Sequence, residues 1–109
     1  MEINILIEQL ETISLRYARE FDIERTPDWF LLKLTEELGE LMQSYLKFVG
    51  QARTMEDGSE LLKRDLEDEL ADVIGMALLI AKNQKIDIEE AIARKWLQYL
   101  PAESKEEIV

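Results

Sequence analysis

Residues 34–41 read Leu34-Thr35-Glu36-Glu37-Leu38-Gly39-Glu40-Leu41, and residues 69–72 read Glu69-Leu70-Ala71-Asp72. Both set carboxylates three residues apart inside an apolar pattern of helical period. Residues three apart on a helix rise about 4.5 Å and stay on one side of the axis. Glu37 and Glu40 therefore form one pair of acids, and Glu69 and Asp72 another. Around the first pair, Phe30, Leu34, Leu38, Leu41, Tyr45 and Phe48 make the expected core stripe. Trp29, Lys33, Glu36 and Glu40 fall on a neighbouring face, with Glu37 at the border. Leu32, Met42, Leu46 and Val49 carry apolar surface round the other side. A helix apolar over so much of its circumference must bury more than one face, which predicts a second subunit.

Working outward, Thr26-Pro27-Asp28 is a helix start: Thr26 as N-cap, Pro27 at the first helical position, Asp28 favourable to the dipole. The helix is predicted from Pro27 to about Val49. Before it, Leu6, Leu10, Ile13, Tyr17 and Phe21 recur at helical spacing and predict an amphipathic helix from Ile3 to about Phe21. Residues 50–59, with two glycines, form a loop. A third helix is predicted from Ser59 or Glu60 to about Lys82, with Leu62, Leu66, Leu70, Val73, Ile74, Ala77 and Ala81 as its core. Asp65, Glu69, Asp72 and Met76 line its adjacent face, and Leu61 and Leu79 point away from that core towards an oligomeric contact. Asp87-x-x-Glu90 is a variant capping box opening a short fourth helix through Ile88, Ile92 and Trp96, and Pro101 ends it or bends the chain. The chain of 109 residues is thus one all-α domain over 1–100, with a charged tail over 101–109.

The formal charge of −11 disfavours nucleic acid and anionic membranes as partners. The sequence contains neither cysteine nor histidine. That excludes disulfide frameworks, thiolate and imidazole zinc sites, Ser-His and Cys-His nucleophile systems, and the Glu-x-x-His ligation of di-iron bundles. A metal here is held by oxygen, which favours magnesium, manganese or calcium. The N-terminus lacks a basic segment followed by an apolar run, and no stretch approaches the length of a membrane span. The expected location is the cytoplasm.

An isolated Glu-x-x-Glu is ordinarily a solvated face. Two such pairs with the same spacing, on helices expected to pack antiparallel, are a different matter. They offer four oxygen ligands to one ion, with water and a phosphate completing the shell in the manner of magnesium. Trp29 lies about two turns before Glu36 on the same face, where it is placed to stack on a base or to serve as a core or interface aromatic. Lys33 stands four residues before Glu37 as an ion-pair partner.

Glu36-Glu37-x-x-Glu40, followed after residues 41–68 by Glu69-x-x-Asp72, resembles the EExxE…ExxD signature of the MazG-like all-α nucleoside triphosphate pyrophosphohydrolases. The surrounding residues are similar too: Trp29-Phe30, Leu34 to Leu41, Glu69 to Val73, Ile86 to Ala91, and Lys95-Trp96. The likeness runs from about Pro27 to Trp96. It implies a four-helix MazG-like bundle completed by dimerisation, or a dimer of dimers. It also implies hydrolysis of the α–β phosphoanhydride of a nucleotide to a nucleoside monophosphate and pyrophosphate. By position in the motif, Glu37, Glu40, Glu69 and Asp72 match the family's magnesium ligands, with manganese an alternative ion. Glu36 matches an extra acid that binds a further ion or orients the attacking water, and Lys95 matches a lysine that reaches the phosphates. Asn83 and Met76 join Trp29 and Lys33 as further candidates for substrate contact. The chain departs from its relatives after Lys95, where Trp96-Leu97-Gln98-Tyr99-Leu100-Pro101 replaces their Asn and basic residues. Phosphate-binding cations are few, with Lys33, Arg53, Arg94 and Lys95 as candidates. A nucleoside diphosphate, a modified nucleotide or phosphoribosyl-ATP, which related all-α enzymes use, is the alternative substrate, and a non-catalytic acidic helical module is the alternative function.

Overall fold

The computed structural model describes residues 1–55 and 58–102; most of the expected tail, residues 103–109, lies outside them. Four α-helices account for the described fold: α1 (Ile3–Glu20), α2 (Pro27–Phe48), α3 (Ser59–Asn83) and α4 (Ile88–Trp96), followed by a 3₁₀ turn (Leu97–Tyr99). Among the described residues there is no strand, and no helix is long and apolar enough to cross a membrane.

The helix starts follow their side chains. Thr26 Oγ1 accepts the backbone N–H of Trp29, and Pro27 opens α2, where its missing N–H costs nothing. Asp87 Oδ1 accepts the N–H of Glu90 at 3.1 Å. Glu90 does not return the bond; its carboxylate takes Arg94 at 2.8 Å instead. The three long helices end alike, with a bond closing back over five residues: Ile23 N–H to Ala18 O, Gln51 N–H to Leu46 O, and Ile86 N–H to Ala81 O. This is the Schellman closure, which needs one left-handed residue just past the helix. Those residues are Asp22, Gly50 and Lys85, with φ of 52°, 78° and 56°.

The centre of the fold is α2 packed on α3, with α1 laid along α3. Pairings run in opposite directions along the two helices: Phe48 meets Lys63, whose Nζ lies 5.5 Å from the ring centroid, and Glu37 meets Asp72. Residue numbers rise on α2 as they fall on α3, so the pair is antiparallel. The α2 line least exposed to solvent is Phe30, Leu34, Glu37, Leu41, Ser44 and Phe48, alternating steps of three and four as in a coiled-coil seam. The α3 line is Leu62, Leu66, Glu69, Val73, Met76 and Ile80. Phe30, 2% exposed, is the largest fully buried side chain among the described residues.

Several expected core positions are corrected by this seam. Leu38 and Tyr45 on α2, and Leu70 and Ile74 on α3, are exposed. At about 100° per residue they lie on the face of the hairpin opposite Glu40 and Asp72. The chain has one long helix to lay over the hairpin, and α1 covers the carboxylate side, leaving the other bare. The α1 stripe is also rotated: Ile7, Ser14 and Ala18 are buried, whereas Ile13 is 65% exposed and Tyr17 and Phe21 remain accessible. Small side chains let α1 approach closely, so they take the contact line in place of larger ones. Leu79, expected to face outward, is 6% exposed, because α1 lies over it. Leu61 is exposed as expected, and α4 buries none of its residues.

An Arg25 clamp fixes the corner between α1 and α2. Its guanidinium grips both oxygens of Glu11, at 2.6 and 3.1 Å, donates to Ser14 Oγ at 3.1 Å, and stacks 5.2 Å from the Phe30 ring centroid. This bidentate geometry is the strong form of a carboxylate–guanidinium pair, and it holds the Glu11 carboxyl below its usual range. Lys82 reaches back to Glu8, tying the end of α3 to α1.

The accessible surface is 8,724 Å² for 12.8 kDa. A compact monomer of that mass exposes about 6,300 Å². The radius of gyration, 17.2 Å, likewise exceeds the roughly 13 Å of a compact domain this long.

Candidate functional site

Glu37 is not at the border of the packed face, as its spacing suggested, but on its centre line. Glu69 holds the equivalent place on α3. The two glutamates therefore meet across the helix seam, where apolar side chains are the rule. Glu37, Glu69 and Asp72 bring carboxylate oxygens within 4.8 Å of one another. Glu36, Glu37 and Glu40 do the same along α2. Glu37 Oε2 and Glu69 Oε2 are buried with no hydrogen-bond partner.

Such crowding disfavours ionisation. Burial pushes the Glu37 carboxyl up to about 7, with the negative charges of Glu40 and Asp72 adding to it and Lys33 partly opposing. Glu69 is raised by burial, then by Glu40, Asp72 and Asp65. Asp72 is raised by burial, then by Glu40 and Asp68. Glu40 thus acts on all three. Each carboxyl holds its proton more tightly folded than unfolded, so the metal-free fold binds extra protons and loses stability as pH rises from about 4.5 to about 7. A divalent cation bound there would compete with those protons, with an affinity that grows over the same window. An all-oxygen donor set with two unpartnered buried oxygens fits a hard cation such as magnesium.

Beside the acids is a cavity of about 390 Å³ between α1, α2 and α3. Tyr17, Trp29 and Met76 form apolar walls, and Lys33, Glu37 and Asp72 its polar edge. Trp29 packs edge-on against Phe30, with centroids 5.1 Å apart, which fixes its ring beside the cavity. Gly75 also lines it, and a Cβ there would meet nothing within 4 Å.

The expected site residues divide in two. Glu37, Glu40, Glu69 and Asp72 come together at the seam, with Trp29 and Lys33 along the adjoining cavity. Glu36 lies on the outer side and takes Lys33 at 2.8 Å, so Lys33 pairs at three residues rather than with Glu37 at four. Asn83 and Lys95 are not among the residues lining the cavity; Asn83 Oδ1 accepts from Gln84, and Lys95 is exposed on α4. Arg53 lines a separate depression with Lys47 and Met55, and Arg94 pairs with Glu90. The α1 wall of the cavity and the Arg25 clamp are absent from the sequence reading. Ser14, interrupting an apolar helix three residues after Glu11, is the signal that marks the clamp.

No family model matches the chain, and no solved structure matches it. Among curated proteins it is similar to peptide chain release factor 1 of Ligilactobacillus salivarius (strain UCC118), 28% identical over 95 residues. The likeness covers 80% of this chain and 26% of that protein, so the chain spans about a quarter of the length of the curated relative it matches.

Proposed function

We propose that this chain is a magnesium-dependent nucleotide pyrophosphohydrolase of the MazG-like all-α class, acting in the cytoplasm. It cleaves the α–β phosphoanhydride of a (d)NTP to a nucleoside monophosphate and pyrophosphate. The observation that carries this reading is the pair of seam glutamates, Glu37 and Glu69, each with a buried unpartnered oxygen. Two carboxyls meeting in a helix seam oppose each other's ionisation, and Lys33 offsets this only in part at Glu37. A cation bound by Glu37, Glu40, Glu69 and Asp72 removes that opposition.

When bound, magnesium, or manganese in its place, supplies charge neutralisation at the phosphates. The chain's own residues do the rest. Trp29 and Tyr17 give the cavity aromatic faces on which a nucleobase stacks, and the polyphosphate then runs from its polar edge along the acidic seam. Glu36, paired with Lys33 at 2.8 Å, orients the water that attacks the α-phosphorus as the bond to the pyrophosphate oxygen breaks. No covalent nucleophile is required, consistent with the lack of Cys and His.

The working form is a homodimer or a dimer of dimers. The uncovered face with Leu38, Tyr45, Leu70 and Ile74 supports a partner on that side. It would complete the helical bundle that α4 leaves open.

A second reading, a non-catalytic acidic helical module, is favoured by the likeness to one quarter of a longer protein. A panel of dNTPs, NTPs and NDPs with and without magnesium, with products identified, decides between them. The enzyme reading expects monophosphate and pyrophosphate from triphosphates, only with metal. Turnover of diphosphates alone moves the substrate class, and no turnover of any nucleotide favours the module.

A further inference from the structure

The cavity between α1, α2 and α3 has a floor as well as a polar edge. Of the residues lining it, Ser14 and Leu79 are the two that are buried, at 9% and 6% exposed. Gly75 precedes Leu79 by one turn of α3, on the same side of the helix, and a Cβ built there meets nothing within 4 Å. A glycine inside a helix costs stability relative to alanine. No close approach within the chain requires it here, so what it contributes is open space above the floor.

Ser14 is the polar group of that floor. A hydroxyl inside a helix commonly bonds the carbonyl four residues back, as Thr12 and Thr35 do at 3.0 and 3.1 Å. Ser14 Oγ instead accepts from Arg25 Nη1 at 3.1 Å. A guanidinium can only donate, so one lone pair of the hydroxyl is taken and its hydrogen is left over. Among the described residues no acceptor receives that hydrogen. Glu11 grips Arg25 through both of its oxygens, and neither Glu11 nor Arg25 lines the cavity. The hydroxyl is thus anchored from behind and free to donate in front. A buried donor without an acceptor calls for one, and the cavity is where a ligand can bring it.

We propose that Ser14 is a specificity-determining residue, donating its hydroxyl to a carbonyl oxygen or ring nitrogen on the edge of a nucleobase that Trp29 and Tyr17 stack and Gly75 leaves room for. This rests on the nucleotide reading above. A site that hydrogen-bonds a substrate edge rejects an analogue lacking the partner, because the buried group is then left unpaired. The floor therefore selects the base, while the seam meets the phosphates that all nucleotides share.

The test is a calorimetric titration of the full chain, in magnesium, with the α,β-imido analogues of the common dNTPs, whose bridging nitrogen resists cleavage, and with tripolyphosphate, which has no base. Wild type is expected to bind at least one of the nucleotides more tightly than tripolyphosphate. Ser14→Ala is expected to weaken that nucleotide about three- to tenfold and to leave tripolyphosphate unchanged. Gly75→Ala, a change that favours the helix, is expected to melt no lower than wild type and to weaken the nucleotide about fivefold or more by filling the space above the floor, again sparing tripolyphosphate. Tripolyphosphate bound as tightly as the nucleotides, unchanged nucleotide affinity in either folded variant, or a loss shared equally by tripolyphosphate overturns the role of Ser14 and leaves the nucleotide reading standing. No nucleotide bound by wild type overturns both.

Discussion

Asp72→Asn is expected to abolish turnover while leaving the helices and their assembly in place. The substitution keeps the shape of the side chain and removes one of the charges proposed to hold the cation. Metal-borne stabilisation of phosphoryl transfer is worth several kcal/mol, and each 1.36 kcal/mol is tenfold in rate, so a loss of roughly 10²–10⁴-fold is expected. Glu40→Gln should behave alike, since the Glu40 charge reaches Glu37, Glu69 and Asp72. Without metal, neither variant should melt below wild type, because each removes a carboxylate that destabilises its neighbours. Steady-state rates with circular-dichroism melts check both halves. Wild-type turnover in both variants removes these residues from the site.

Phe30→Ala is expected to have the largest effect on stability. Phe30 starts the α2 seam, is 2% exposed, supports the Trp29 ring edge-on and lies under the Arg25 guanidinium. Removing a buried aromatic ring costs about 3–5 kcal/mol, and each kcal/mol lowers the melting temperature of a domain this size by about 4–8 °C. A fall of at least about 12 °C follows, with loss of the cavity wall at Trp29. Thermal unfolding followed at 222 nm reads it, and a fall under about 5 °C would mean that Phe30 is not the anchor of the core.

The helices themselves were legible. Thr26-Pro27 and Asp87 announce their caps because their side chains do the capping, and the acid pairs stand where helical spacing puts them. Of the helix ends, only Gly50 declares the left-handed turn; Asp22 and Lys85 adopt it without a residue type that signals it. The phase of each helix was less legible. When apolar residues cover more than half a circumference, spacing leaves several seams open, and close approach then selects the line with small residues. That is why Ser14 and Ala18 lie inside on α1 while Ile13 lies outside; Leu38 and Ile74 lie outside because α1 covers the opposite face of the hairpin. Glu37 and Glu69 escaped for a related reason: a charge in a seam contradicts burial preference unless something neutralises it. The four acids that cluster at the seam could be read from the motif, but the cavity beside them depends on how α1 docks, which Tyr17 and Ser14 do not reveal by spacing.

On the proposed function, Glu37 and Glu69 meet in the seam to hold a divalent cation. Melting temperature as a function of pH, with and without magnesium, tests it most directly. Without metal, wild type should lose stability as pH rises from about 4.5 to about 7, since Glu37 titrates near 7 in the fold. With magnesium in excess, the loss should be reversed above pH 7 and little changed at pH 5, where protons outcompete the ion. Glu37→Gln should flatten both curves. A wild-type melting temperature that is the same with and without magnesium across this range would rule out a cation at the seam.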